Sequence, residues 1–157
     1  GRKLMLIACD TNILLHACNS RSPLHAEALA FLGDMSSRQD FVVCELVLVE
    51  LYVLVRNPAV VPHPLGAEEA AAVSQRFRSN PRWRVIDYPG GLMDEIWRRA
   101  GQVGAPRGCI FDTRLALTLR HHGVTDFATG NLKHFDGFGF ARLWNPLAST
   151  ESAIPGR

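Results

Sequence analysis

No Cys-x-x-Cys pair occurs in these 157 residues, no apolar run reaches membrane length, and neither sign of charge dominates. Each absence excludes something. Four cysteines, at positions 9, 18, 44 and 109, have the wrong spacings for a zinc site. They read as buried free thiols in a reducing compartment rather than as a disulfide scaffold. Without roughly 18 consecutive apolar residues there is no membrane span. The apolar part of RKLMLIAC before Cys9 is shorter than the roughly 7–15 residues of a signal core, so export is not expected and a cytoplasmic protein is. Gly1 in place of Met is expected to reflect a trimmed or altered start. A net charge of +2 neither demands nor forbids nucleic acid, so local clusters must decide. There is no internal repeat and no low-complexity tract.

What is present is apolar sequence, 47% of the chain, enough for one sizeable core. One domain over residues 1–157 is expected, with the polar, Gly- and Pro-containing 149–157 as a frayed tail. Leu4–Cys9 is a continuous apolar run suited to a buried strand. Asn12–Cys18 reads as a short helix. The apolar period of Pro23–Met35 predicts a helix with Ser22 as its cap. Phe41–Cys44 reads as a strand. The run 46–55 is rich in β-branched residues, but its length and its ending at Arg-Asn-Pro predict a helix. Helices follow at Ala67–Arg78, Leu92–Gly101 and Ile110–His122, the last ended by Gly123. Strands are expected at 84–87, 125–129 and in the segment before Pro146. Strands alternating with helices predict an α/β domain with a mostly parallel sheet and helices on both faces. Such sheets bind ligands beyond the carboxyl ends of their strands.

Three carboxylates are embedded in apolar sequence. Asp10 ends the first strand, Glu50 is the only polar residue of LVLVELYVLV, and Asp112 lies in CIFDTRLALTL. A buried carboxylate needs a partner. Taken singly, Asp10 reads as a helix cap, Asp112 as a first-turn charge, and Glu50 as a partner of Arg56 or Arg114. Taken together they suggest an oxygen site for a hard divalent ion, Mg²⁺ or Mn²⁺, and metal-assisted phosphoryl chemistry. Glu45 is about 140° around the helix from Glu50 and reads as a first-turn charge. An aspartyl-nucleophile phosphatase would want a second aspartate at position 12, where this chain has Asn12.

CDTNILLH resembles the opening motif of PIN-domain nucleases. ELVLVELYVLVRNPAV, FDTRLALTLRHHGVTDFATGNLKHF and GFARLWNPL resemble the VapC branch, the toxin ribonucleases of VapBC toxin–antitoxin systems. The resemblance runs from residue 4 to 147 with its motifs in order. It implies a PIN-like three-layer α/β/α domain and a Mg²⁺-dependent endoribonuclease, with Mn²⁺ as a possible substitute. It places the family's acids at Asp10, Glu50 and Asp112. Its fourth position, in a Thr-x-Asp/Asn turn, falls on Asn131, a neutral amide that adds no charge and weakens the case for a second ion. Thr11 and Asn12 are expected either to orient the acids or to cap the helix. Asp136 is an outer candidate, and Asp126 is expected at the wrong end of its strand. His121, His122 and His134 are expected on solvated surfaces, with His134 near enough to the turn to touch substrate.

RFRSNPRWR places Arg76, Arg78, Arg82 and Arg84 around Phe77 and Trp83, a pattern that suits RNA but equally a helix end whose aromatics join the core. Arg114 reads as a phosphate contact or a partner of a site acid. The implied partners are single-stranded RNA, a small VapB-like antitoxin lying across the acids, and a second copy of the chain. The helices at 24–35 and 46–55 are candidates for the groove and the dimer face. A PIN-like RNA-binding module with a lapsed site is the non-enzymatic alternative, suggested by Asn131.

Overall fold

A computed structural model describes residues 5–148 and the backbone of 154–155. Among the described residues, six strands and seven helices follow in the order β1 (Leu6–Cys9), α1 (Thr11–Cys18), α2 (His25–Met35), β2 (Val42–Cys44), α3 (Glu45–Val55), α4 (Ala67–Arg78), β3 (Arg84–Ile86), α5 (Leu92–Ala100), α6 (Cys109–His121), β4 (Val124–Ala128), α7 (Leu132–Phe135), β5 (Arg142–Trp144) and β6 (Ile154–Pro155). The expected strand–helix alternation is present.

β1 is buried along its whole length because it lies inside the sheet. On one side it pairs in parallel with β4, Leu6 opposite Val124 and Cys9 opposite Ala128. β5 continues the parallel sheet, and β6 closes the edge antiparallel to β5. On the other side, a bridge from Ile7 to Phe41 and an Ile7 N–H to Asp40 C=O bond of 2.9 Å attach the parallel pair β2–β3. The chain therefore leaves β1 toward β2 and β3, then returns to its other side for β4 and β5. That reversal opens a crevice beyond the carboxyl ends of β1 and β4, where α/β sheets carry their ligands. Helices α1 to α4 pack as one group, and α5, α6 and α7 as another.

Helix α3 forms despite its valines. Val47, Leu48, Leu51 and Val55 are buried at helical spacing, and packing on α1 and α4 outweighs β propensity. Helix α6 ends as expected: Gly123 takes φ +87° and donates to the Arg120 carbonyl. The core centres on Phe127, fully buried, with Phe135 edge-on at 4.8 Å and Phe140 stacked at 5.2 Å.

Several boundaries differ from expectation. Helix α2 begins at His25, not Pro23, and Ser22 does not cap it. The Ser22 hydroxyl instead accepts from the Leu24 N–H and meets His16 Nδ1 at 2.6 Å, which makes a tight turn before the helix. Strand β3 stops at Ile86 because the Asp87 side chain accepts from the Tyr88 N–H and turns the chain. The short α7 was not anticipated, having the single buried anchor Phe135. Ile154–Pro155, inside the tail expected to fray, pairs with Arg142 and Leu143. The rest of that tail, like the start of the Leu4–Cys9 run, lies outside the described residues. All four cysteines are free, and Cys18 is exposed rather than buried.

Truncating Phe127 to Ala leaves Phe135 and Phe140 facing a void. It should lower the unfolding free energy by about 3–5 kcal/mol, measured by urea denaturation.

Candidate functional site

Asp10 follows the last residue of β1 and is only 7% exposed. Its extended backbone (φ −78°, ψ 161°) lets it precede α1, and its N–H continues the β1–β4 ladder by donating to the Ala128 carbonyl at 2.9 Å. Both carboxylate oxygens receive a bond. Oδ1 accepts from the Thr11 N–H at 2.8 Å, and Oδ2 accepts from the Thr129 hydroxyl at 2.8 Å. Thr129 is fully buried just beyond β4, and its own oxygen accepts from the Asn131 N–H at 3.0 Å. On the other flank, the Thr11 hydroxyl donates to Glu50 Oε2 at 2.9 Å, across 39 positions of sequence. One hydrogen-bond chain thus runs Asn131–Thr129–Asp10–Thr11–Glu50 and ties the two strand ends to α1 and α3.

Burial pushes the Asp10 carboxyl above the usual carboxylate range. The bonds from Thr129 and Thr11 pull it back, while the charge of Asp112 adds to the rise. Glu50, half-buried, is raised by the same loss of solvent and then by the charges of Asp10 and Asp112, against the bond from Thr11. The three acids are therefore electrostatic neighbours. Asp112, in the first turn of α6 with its side chain 34% exposed, meets His134 Nδ1 at 3.1 Å through Oδ2. Among the described residues neither Asp10 nor Glu50 has a lysine or arginine partner within ion-pair distance. The arginines offered for Glu50 stand elsewhere: Arg56 donates to the Tyr52 hydroxyl, and the Arg114 guanidinium lies 4.3 Å over the Tyr88 ring.

Carboxylates crowded without cationic side chains make an oxygen-only donor set, the kind that suits Mg²⁺ or Mn²⁺. In charge and donor type Asp10, Glu50 and Asp112 fit such an ion. They do not form a closed ligand shell. Among the described residues no group of three or more His, Cys, Asp or Glu side chains stands in a metal-binding arrangement.

The other nominated residues divide. Asn131 is exposed and reaches the site through its backbone N–H, and Asn12 is exposed on α1. Asp136 is exposed beyond α7, and Asp126 is buried within β4, bonded by the Thr125 hydroxyl. Glu45 pairs with Arg78 at 2.6 Å. Arg84 opens β3 at the end away from the rim, Arg82 is exposed in the preceding turn, and Arg76 lines a groove beside Cys18. Trp83 is buried with Nε1 donating to the Met35 carbonyl, and Phe77 stacks on it, so these rings belong to the core. No contact carries this arginine cluster to the acids. Two contacts at the site, Thr129 with Asp10 and His134 with Asp112, escaped the sequence reading. Thr129 could have been noticed as a hydroxyl closing a buried strand. The contact of His134 with Asp112 could not, because it depends on how α7 sits against α6.

A sequence profile of the PIN domain family matches residues 7–136. The chain is 51% identical over 144 residues to Ribonuclease VapC24 of Mycobacterium tuberculosis, covering 92% of this chain and 99% of that one. Its fold matches the structure of FitAB bound to the IR36 DNA fragment, with TM-score 0.62 and 19% identity over 91% of this chain and 96% of that one. It also matches DNA-bound VapBC from Salmonella typhimurium, with TM-score 0.60 and 19% identity over 90% of this chain and 98% of that one. At these identities the two structures show likeness of fold.

The raised carboxyl of Asp10 has a consequence for stability. The folded state holds this proton to higher pH than the unfolded chain does, so the contribution of Asp10 to stability falls as pH rises from the unfolded value, about 4, through the folded one. Asp10→Asn should therefore raise the urea midpoint at neutral pH in chelator. The gain should vanish in acid, where Asp10 is protonated in both states. A variant less stable than the parent at neutral pH would contradict this account.

Proposed function

The chain belongs to the PIN domain family and, within it, to the VapC ribonucleases, and on that footing we propose that it is an endoribonuclease toxin that hydrolyses RNA at Asp10, Glu50 and Asp112. The observation that carries the reading is the hydrogen-bond chain from Asn131 to Glu50, which holds two acids at the carboxyl rim with Asp112 within range of both. The site supplies concentrated negative charge and little to neutralise it. A simple helix cap has no need of that.

Asp10, Glu50 and Asp112 would hold a divalent ion, Mg²⁺ or Mn²⁺. When bound, such an ion lowers the pKa of water and stabilises charge on phosphate oxygens. Thr129 and Thr11 orient the carboxylates, each leaving oxygen lone pairs free toward the crevice. Asn131 is neutral and joins the site through its backbone N–H, so it adds no charge toward a second ion. His134 Nδ1 stands 3.1 Å from Asp112 Oδ2, where it would compete with a cation for that carboxylate.

The partner is a small antitoxin of the VapB type. A groove of about 800 Å³ between α1, α2 and α4, lined by Leu29, Leu32, Val73 and Phe77 with Glu69 and Arg76 beside them, suits an amphipathic segment. Helix α2 lines this groove and α3 does not. The outer face of α3, with Val49 and Val53 exposed, is the candidate for a homodimer. The working unit is the whole α/β domain. No helix among the described residues is long and apolar enough to cross a membrane, and an RNA target places the protein in the cytoplasm.

Purified protein should cleave single-stranded RNA with Mg²⁺ and stop on chelation. Asp10→Asn, Glu50→Gln and Asp112→Asn should each lower the rate by about 100-fold or more. Cleavage that survives both chelator and Asp10→Asn would overturn the assignment. Thr129→Val removes one donor to Asp10 while keeping shape, and should reduce the rate by about 10–100-fold. Raising the Mg²⁺ concentration should recover part of that loss, as expected if Thr129 acts through Asp10.

A further inference from the structure

The aromatic rings of the nominated cluster are built into the core, which leaves open what holds a base next to the acids. One exposed aromatic lies beside them. Phe111 is 63% exposed in the first turn of α6 and is the residue immediately before Asp112. A phenyl ring left in water on a helix whose other faces pack against α5, α7 and β4 has no role in the core.

Its neighbours are cationic and uncommitted. Arg114 follows by three positions, on the same side of the helix, and Arg107 lies in the turn leading into it. Neither has an acidic partner among the described residues. Arg114 is held by stacking over Tyr88, and its Nε is buried with no hydrogen-bond acceptor among the described residues. The contrast is with Trp97 on α5, which is equally exposed but stands next to arginines already paired with Glu95. An apolar ring flanked by unneutralised guanidinium groups matches a nucleotide, whose base stacks and whose phosphates carry charge.

We infer that Phe111 is the stacking platform for an unpaired base adjoining the scissile phosphate, with Arg114 and Arg107 on the flanking phosphates. This rests on the nuclease reading above and adds to it a specificity-determining residue. A base inside a duplex offers no free face to the ring, so the platform selects loops and unpaired segments.

The test is a base-deletion series. Fluorescent single-stranded RNAs, each with one abasic position, are titrated by anisotropy in Mg²⁺ against protein carrying Asp10→Asn, which prevents cutting. With Phe111 present, one abasic position should weaken binding by about 5- to 100-fold. With Phe111→Ala that position should become silent and the full RNA should bind as weakly as the abasic one. Phe111→Tyr should restore the profile. Phe111 is exposed, so its truncation leaves the core intact, which circular dichroism checks. An identical abasic profile with and without Phe111 would overturn the inference. So would Phe111→Ala dissociating a dimer or the antitoxin complex in sedimentation while RNA binding is unchanged. Cleavage is scored separately on protein with Asp10 intact. A flat profile from a protein that cuts sinks only the platform, and a base-dependent profile from a protein that does not cut sinks only the nuclease.

Discussion

A carboxylate taken out of water must be given hydrogen bonds, and the arrangement at the rim of this sheet follows from how Asp10 obtains them. One donor comes from the helix it precedes and the other from a threonine 119 positions away. The second is available only because β4 lies directly beside β1, with Ala128 opposite Cys9. Parallel pairing brings both strands to their ends at the same level, so the residue after each lands in the same crevice. The sheet's register is thereby also the register of the site.

The same contacts explain why the site is electrostatically uncomfortable. Thr11 and Thr129 satisfy individual oxygens but bring no charge, so the repulsion among Asp10, Glu50 and Asp112 persists, and the carboxyls of Asp10 and Glu50 rise. Replacing these threonines by lysine or arginine would relieve the strain and occupy the oxygens a cation needs. Neutral donors hold the carboxylates in place without neutralising them, and a fold that keeps such a site gives up some stability for it.

Much of this was legible in one dimension. Asp10 after an apolar run, Glu50 alone in ten apolar residues, and Asp112 near the start of a helix each announced a buried or half-buried charge. The helix over 45–55 could be read through its valines because its length and its Asn-Pro ending spoke louder than β propensity. The arginines around Phe77 and Trp83 were ambiguous, since a stacking pattern and a helix end packing its aromatics inward are the same string. Packing against Phe41 and the Met35 carbonyl decided it. Phe111 gave no signal at all, because an aromatic in CIFDTRLALTL looks like one more core residue until the helix is set against its neighbours.

By itself the sequence determined the period of its elements, the family to which its motifs belong, and which carboxylates sit in apolar surroundings, because these depend on local order and residue type. The tertiary structure alone decided that Thr129 reaches Asp10, that Thr11 reaches Glu50, that His134 meets Asp112, and which aromatic rings remain in solvent. Those outcomes depend on distances between segments far apart in the chain, and such distances are set only when β1 is placed between β2 and β4.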